Sequence, residues 1–283
     1  MDFALNRILA VPNWSFYDPN LCDVARGILA AEHVQIHYCQ GDVDHQRTVI
    51  AFSGQQNDVF RSMDNLAGII LPMIDMNVQN GVHPRVGALD VAPFVLLKGS
   101  ESALIEETIR WASHLSSRYD LPVYLYEKAA RAGQEFRLPH LRGQLGELIQ
   151  LPDFGTLENP RWGTAIVGVR NFLLAVNLNL VTGDIHGVRQ VAKELRFQRD
   201  RGREELKGVR ALAFDLKSRG MTQLSLNLTE PDSTSFDAVF EISSNLLAKE
   251  AIFVNETELI GVIRERDLVG ATQLSYGPSQ VVR

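Results

Sequence analysis

The second half of the sequence alternates strand patterns with helix patterns in the order of a known supersecondary unit. Apolar runs, or strict alternation of apolar and polar residues, predict the strands, and apolar side chains three and four residues apart predict the helices. The order is strand, helix, strand, strand, helix, strand, which is the split βαβ or ferredoxin-like arrangement. The strand patterns cover residues 172–180, 209–216, 223–228 and 251–254, and the helix patterns begin at Ile185 and, with a capping-box sequence, at Thr234.

The first half follows the same order and then continues with one more helix and one more strand. Its strand patterns cover residues 8–11, 34–38, 48–52, 93–97 and 122–126, and its helix patterns cover residues 21–31, 63–71 and 104–115. The two halves share no residue-level similarity. The sequence therefore predicts an α+β fold of two ferredoxin-like subdomains, residues 1–178 and residues 179–283.

One predicted strand carries a regular polar face. Gln223, Ser225 and Asn227 alternate with three leucines, so the polar side chains share one side of the sheet. A ferredoxin-like sheet carries its helices on one face and leaves the other face open. Two such open faces, opposed across a cleft, would line a ligand site with polar side chains.

Charge and composition exclude some classes of protein. The formal net charge is −6 and no block of lysine or arginine occurs, which argues against sequence-independent binding to nucleic acid. Asp2 and Arg7 interrupt the apolar residues near the start, so neither a secretory signal nor a membrane span is expected there. We expect a cytoplasmic protein in which Cys22 and Cys39 are reduced and structural. Glycine and proline are dense in residues 131–160, which predicts a long loop.

The segment NGVHPRVGALDVAPFVLL places a histidine and an arginine in a turn that leads into an apolar strand. An imidazole titrates near neutral pH, so His83 could take a proton from an attacking amine and return it to a leaving amine. Arg85 could hold a carboxylate or an oxyanion, and Gly87 could permit close approach of a ligand. A capped loop histidine with no catalytic role is the structural alternative.

Other motifs give weaker signals. Asp42, Asp44 and His45 could gather a divalent cation, or they could form a polar hairpin turn before the next strand. The hairpin turn is the favoured interpretation, so we expect no metal site. The sequence contains no GxGxxG, GxxxxGK[ST] or GxSxG motif, so nucleotide, P-loop and serine-hydrolase functions have no motif in support.

The histidine segment also resembles a family signature. HPRVGALDVAPFVLL strongly resembles HPRxGALDVxPFxP of the formimidoyltransferase domain of glutamate formimidoyltransferases. Further stretches agree in order along nearly the whole chain, namely VPNWS, DHQRTVIAFSG, LPVYLYEKAAR, PDFG, WGTAIVGVRNFLLAVNLNL, QLSLNLTE and ELIGV. The chain is identified as a member of this family without the cyclodeaminase domain that some members carry, so we expect it not to deaminate the product.

The resemblance implies a fold and a reaction. Two α+β subdomains oppose their open sheet faces around a tunnel for folate and a formimidoyl amino acid. Tetrahydrofolate, as co-substrate, attacks the formimidoyl carbon of N-formimidoyl-L-glutamate through N5, and His83 relays protons as general acid and base. The implied protein is a folate-dependent one-carbon transferase of histidine catabolism, and a homodimer is expected.

The same resemblance implies further ligand contacts. Arginines are expected to bind the carboxylates of glutamate or of the folate tail, and a structural salt bridge is the alternative for each of them. Asparagines are expected in the wall of the tunnel. The expected substrate and folate contacts are Arg85, Arg47, Asp44, Gly87, Arg142, Asn177 and Asn227.

Several segments depart from the family pattern. VPNWSFYDPN lacks a Glu-Gly pair, RGQLGELIQL is altered, and Gln40 stands where members often carry an aspartate. Two alternatives to formimidoyl transfer therefore stay open. One is formyl transfer between 5-formyltetrahydrofolate and glutamate by the same site, and the other is a catalytically altered relative that binds folate without turnover.

Overall fold

The computed structural model describes residues 6–134, 137–138, 140–141, 151–156, 159–181 and 184–283. The chain divides into two compact units, residues 1–170 and residues 171–283, and each combines helices with β-sheet. Arg142 and the rest of residues 142–150, within the predicted loop, lie outside the described residues. Over the described ranges, every helix is too short or too polar to cross a bilayer.

Among the described residues, the first unit contains a seven-stranded mixed sheet and three complete α-helices. The elements are β1 (Arg7–Ala10), β2 (Asn13–Trp14), α1 (Leu21–Ala30), β3 (Gln35–Asp42), β4 (Arg47–Gln55), α2 (Gln56–Ile70), β5 (Leu89–Lys98), α3 (Glu101–Tyr119), β6 (Val123–Glu127) and β7 (Ala165–Val169). The strands follow the spatial order β1-β4-β2-β5-β7-β6, with β3 beside β4, and β7 pairs in parallel with both β5 and β6.

The core of this unit lies between the sheet and its helices. In α2, Met63 and Leu66 lie on one face of the helix and are fully buried, as helical spacing predicts. They share one apolar cluster with Ile50 and Phe52, which are alternate residues of β4. The apolar faces of β4 and α2 therefore pack together in a single core.

Sequence patterns do not predict β7. All five of its residues are buried, but Gly168 interrupts the run of large apolar side chains that marks a central strand. A Cβ at position 168 would lie 2.2 Å from the carbonyl oxygen of Tyr126 on β6. The glycine that weakens the strand signal is thus needed for close approach of the neighbouring strand.

Among the described residues, the second unit contains a four-stranded antiparallel sheet, two α-helices and a short parallel pairing of two further strands. The elements are β8 (Leu174–Leu180), α4 (Ile185–Asp200), β9 (Val209–Leu216), β10 (Met221–Leu228), α5 (Phe236–Lys249), β11 (Val254–Ile260), β12 (Ile263–Arg264) and β13 (Val281–Val282). The sheet has the order β11-β8-β10-β9, and the order of elements along the chain is the predicted one. The last strand of the sheet begins three residues later than predicted, because the predicted strand covered residues 251–254.

The predicted boundary after residue 178 is wrong. The units divide between Arg170 and Asn171, which leaves β8 intact in the second unit. This strand pairs with β10 on one side and β11 on the other, so a division after residue 178 would cut through the middle of a sheet.

The two faces of β10 separate apolar from polar residues as the alternation predicts. Leu224 pairs with Leu178, and both are fully buried in the core of the unit. On the other face Gln223 pairs with Asn179, and the Gln223 Nε2 donates to the Asn179 Oδ1 at 2.9 Å. The polar face is therefore internally hydrogen-bonded.

The start of α5 differs from the predicted capping box by one residue. Ser235, not Thr234, is the N-cap, and its hydroxyl accepts from the backbone N–H of Ala238. Thr234 instead donates its hydroxyl to the carbonyl oxygen of Lys207 at 2.9 Å. Asp237, in the first turn, accepts hydrogen bonds from residues 272 and 273.

The expectation that Cys22 and Cys39 are reduced is wrong, because they form a disulfide across 17 positions of sequence. Cys22 lies at the start of α1 and Cys39 lies in β3, on which α1 packs. This packing brings their Cα atoms to 5.6 Å, within the range that a disulfide requires.

Candidate active site

Two turns of the first unit run side by side and hold four of the eight predicted site residues, Asp44, His83, Arg85 and Gly87. One is the hairpin turn between β3 and β4, residues 43–46, and the other is the loop at residues 79–87 that leads into β5. The Val82 N–H donates to the carbonyl oxygen of Asp44 at 3.0 Å. Gly81 lies so close to the hairpin that a Cβ there would meet the His45 carbonyl oxygen at 2.2 Å. The contact between the turns therefore joins the histidine segment to the end of β3.

His83 is half-buried in this loop, and its ring has a defined hydrogen bond. The Nδ1 lies 2.8 Å from the carbonyl oxygen of Pro84. A carbonyl oxygen only accepts, so the Nδ1 carries the hydrogen in this contact. In the neutral ring the lone pair that can accept a proton then belongs to the Nε2.

A second imidazole lies beside the first. The ring centroids of His45 and His83 are 5.7 Å apart and the ring planes are tilted by 54°. His45 is buried, whereas the sequence suggested it as a possible metal ligand. Its proximity to His83 follows from the pairing of the two turns, and no local sequence pattern indicates it.

The hairpin interpretation of the DVDH segment is the one that the structure supports. Residues 43–46 form the turn, and the Oδ1 of Asp42 accepts from the backbone N–H of His45 at 2.8 Å. Among the residues that the structure describes, no three His, Cys, Asp or Glu side chains gather as metal ligands.

Arg85 fastens the loop to the hairpin. Its Nη2 donates to the His45 carbonyl oxygen at 2.6 Å, and its Nη1 donates to the Gln46 carbonyl oxygen at 3.0 Å. The Nη1 also reaches the Gln79 Oε1 at 3.1 Å, and the Nε donates to the His83 carbonyl oxygen at 3.2 Å. These contacts with the chain itself agree with the structural alternative for this arginine.

Arg47 forms a buried ion pair with Asp90, the aspartate of the NGVHPRVGALDVAPFVLL segment. The Arg47 Nη1 also donates to the Asn13 Oδ1 at 3.0 Å, and the Nη2 donates to the Pro84 carbonyl oxygen at 3.2 Å. The other oxygen of Asp90 accepts from the Val86 N–H at 2.9 Å. The salt-bridge alternative thus describes the observed contacts of Arg47.

Gly87 lies where the loop meets the residues before β7. It forms an isolated β-bridge with Gly163, and a Cβ at position 87 would lie 1.8 Å from the Thr164 carbonyl oxygen. The Ser15 hydroxyl, from the VPNWS motif, donates to the Gly87 carbonyl oxygen at 2.7 Å. Close approach at this glycine therefore involves the protein's own backbone.

The two predicted asparagines belong to the sheet of the second unit. Asn177 is buried in β8, and its Nδ2 lies 3.4 Å from the Glu258 Oε2 on β11. Asn227 is half-buried in β10, where it pairs with Ala175 and Arg210. Both lie on the polar face of that sheet.

Comparison with known families agrees with the sequence motifs. Residues 8–170 match the N-terminal subdomain of the formiminotransferase domain, and residues 175–277 match the formiminotransferase domain. The junction between the two matches lies close to the division between the two compact units.

Curated relatives carry consistent names. A formimidoyltransferase-cyclodeaminase of Sus scrofa is 34% identical over 80% of this chain, which spans 44% of the length of that protein. A glutamate formimidoyltransferase of Thermoplasma acidophilum is 33% identical over 94% of this chain and 90% of its own length. A glutamate formimidoyltransferase of Streptococcus pyogenes serotype M1 is 27% identical over 82% of this chain and 80% of its own length. The chain therefore belongs to the formiminotransferase domain family of enzymes.

Proposed function

We propose that this protein transfers the formimidoyl group from N-formimidoyl-L-glutamate to tetrahydrofolate, with His83 as the general acid and base. The family match covers both units, and glutamate formimidoyltransferases match most of the chain. The observation that carries the catalytic assignment is the bond from the His83 Nδ1 to the Pro84 carbonyl oxygen, because it leaves the Nε2 as the basic atom of the ring.

In the proposed reaction His83 moves one proton twice. Its Nε2 accepts the proton that the N5 of tetrahydrofolate releases on attacking the formimidoyl carbon. The same nitrogen then returns the proton to the departing amine of glutamate, so that the bond from carbon to glutamate nitrogen breaks as the bond to folate nitrogen is kept. Tetrahydrofolate is a co-substrate here, and the proposed reaction needs no metal ion.

Some features of the proposal go beyond what the family match shows. The strand order β11-β8-β10-β9 with helices after β8 and β10 supports a ferredoxin-like second unit. The ligand tunnel, the homodimer and the place in histidine catabolism are predictions from the resemblance, and the cytoplasmic location is a prediction from the residues near the start of the sequence. The substrate and folate contacts predicted from the resemblance remain a proposal. They are Asp44, Arg142, Asn177 and Asn227, together with Arg85, Arg47 and Gly87, whose observed contacts are with the protein itself.

The test is turnover of N-formimidoyl-L-glutamate with tetrahydrofolate by the purified protein and its histidine variants. We expect His83→Ala to lower kcat by about 10²- to 10⁴-fold, the usual contribution of a general acid and base, while folate binding measured by calorimetry persists. His114→Ala is the matched control, because this histidine is on α3 with a side chain 54% exposed, and its turnover should equal that of the wild type.

The outcomes separate the alternatives. Folate binding without turnover of either donor would show that the protein is a folate-binding relative and not a transferase. Turnover only with 5-formyltetrahydrofolate and glutamate would show that the protein transfers a formyl group and not a formimidoyl group. Unchanged kcat in His83→Ala would overturn the catalytic assignment.

A further inference from the structure

We propose that Asp90 is a positioning residue for His83, acting through Arg47 and the carbonyl group of Pro84. The proposal rests on the proposed function in that His83 is taken as the acid and base. Asp90 lies seven positions after His83 and is the second residue of the buried part of β5. The proposed link to the imidazole runs through two groups, the Arg47 guanidinium and the Pro84 carbonyl.

The first link is between the Asp90 carboxylate and the loop backbone. Asp90 is fully buried, so its charge requires partners within the protein. One oxygen accepts the Val86 N–H at 2.9 Å, and the other oxygen is ion-paired with the Nη2 of Arg47. The carboxylate therefore fixes the far end of the His83–Val86 segment directly.

The second link runs from Arg47 to Pro84. Arg47 is 8% exposed, and the same Nη2 that pairs with Asp90 also donates to the Pro84 carbonyl oxygen at 3.2 Å. The Nη1 is held by the Asn13 Oδ1 at 3.0 Å. With both terminal nitrogens engaged, the planar group has a fixed orientation at the Pro84 carbonyl.

The third link is the imidazole itself. The Pro84 carbonyl oxygen accepts from Arg47 and, at 2.8 Å, from the His83 Nδ1. A carbonyl oxygen has two lone pairs, so it can serve both donors. The orientation of this carbonyl decides which ring nitrogen of His83 carries the hydrogen, and Asp90 maintains that orientation through Arg47. Polarisation along such a chain strengthens its individual bonds.

Asp90→Asn tests this chain. The substitution keeps the size of the side chain and an oxygen that can accept from the Val86 N–H, but it removes the negative charge that holds Arg47. We expect kcat to fall by about 10- to 100-fold, because a displaced acid–base group costs rate, while KM changes by less than about twofold. We also expect the neutral His83 ring to lose its preference for carrying the hydrogen on Nδ1. The ¹⁵N shifts of histidine-labelled protein above about pH 8, where the ring is neutral, report which nitrogen carries the hydrogen. The His83 signal is assigned by its loss in His83→Ala.

Asp153→Asn is the matched control. The Asp153 side chain is also fully buried, its Oδ2 accepts the Leu125 N–H at 2.8 Å, and its Oδ1 lies 3.0 Å from the Nε of Arg131. The two aspartates thus share the same kind of partners, but Asp153 has none in the loop at residues 79–87. We expect Asp153→Asn to leave kcat and the ¹⁵N shifts of His83 at their wild-type values.

Arg47→Lys is the second test, and it applies even where Asp90→Asn fails to fold. A lysine keeps the charge for Asp90 but lacks the planar fork, so the same loss of kcat and the same ¹⁵N change are expected. Unchanged His83 nitrogen shifts in these variants, or equal losses of kcat in Asp90→Asn and Asp153→Asn, would overturn the positioning role. A wild-type protein without turnover would overturn the proposed function instead, and the ¹⁵N shifts would still decide the positioning role.

Discussion

The two units hold their polar side chains by different means. In the second unit Gln223, Ser225 and Asn227 are alternate residues of one strand, so the pleat of β10 sets their common direction. In the first unit His83 lies in a turn, and the turn is held by bonds such as that from Arg85 to the His45 carbonyl, 40 positions away in sequence. A strand face has the whole sheet as its support, whereas the turn depends on a few anchoring contacts.

The largest effect is expected from the apolar side of β10. Leu226 is fully buried in the core of the second unit, so Leu226→Ala should lower the free energy of unfolding by about 2–5 kcal/mol in urea denaturation. Asn227→Ala, at the next position and on the polar face, should cost less than about 1 kcal/mol. Equal losses for the two variants would show that the faces of this strand do not differ in their contribution to stability.

The sequence predicts those elements of each unit that show a strand or helix periodicity, and it misses those that do not. In the second unit the order of the elements along the chain is predicted correctly, although the last strand of the sheet is Val254–Ile260 and not residues 251–254. In the first unit β7 escapes prediction because a glycine interrupts it, although it lies inside the sheet between β5 and β6. The disulfide also escapes, because the packing of α1 on β3 brings its cysteines together and their spacing in sequence does not.

A smaller effect is expected where the loop meets its neighbour. Gly87→Ala would place a methyl group against the Thr164 backbone, which has no flexible end to move aside, so stability should fall by about 1–3 kcal/mol. Turnover should fall as well, because the displaced backbone lies four positions from His83. Gly27→Ala is the control, since a Cβ in the middle of α1 meets nothing within 4 Å and should stabilise the protein by about 0.5–1 kcal/mol. Equal stability of the Gly87→Ala protein and the wild type would show that the loop has other room to adapt.

The site is predicted from the sequence in part, and the missing part has a physical reason. The HPR motif identifies the loop, because the motif is contiguous in sequence. The sequence does not indicate that His45 lies beside this loop or that Asp90 pairs with Arg47, since the pairing of two turns and the packing of β4 beside the loop create these contacts. Contacts made by tertiary packing have no local pattern, and for that reason Arg47 could be given a ligand role or a structural role with equal justification from sequence alone.

The smallest effect is expected from Asp237 in the second unit. Its side chain holds the backbone of a turn by hydrogen bonds, as Arg85 and Asp90 do in the first unit. Asp237 accepts from the Thr272 N–H, the Thr272 hydroxyl and the Gln273 N–H, at 3.0, 2.9 and 3.1 Å. Partial burial works to raise the pKa of Asp237, but these hydrogen bonds outweigh it and lower the pKa below the ordinary value. A lowered folded-state pKa contributes stability that is present above the unfolded value of about 4 and is lost as the pH falls through the folded value. Asp237→Asn should therefore be less stable than the wild type by up to about 1 kcal/mol at pH 6, and the difference should shrink below about pH 4, as urea denaturation at each pH would show. Asp200→Asn removes the same charge from an exposed ion pair with Arg199 and should show no such trend, so a similar trend in both variants would assign the effect to net charge and not to the turn.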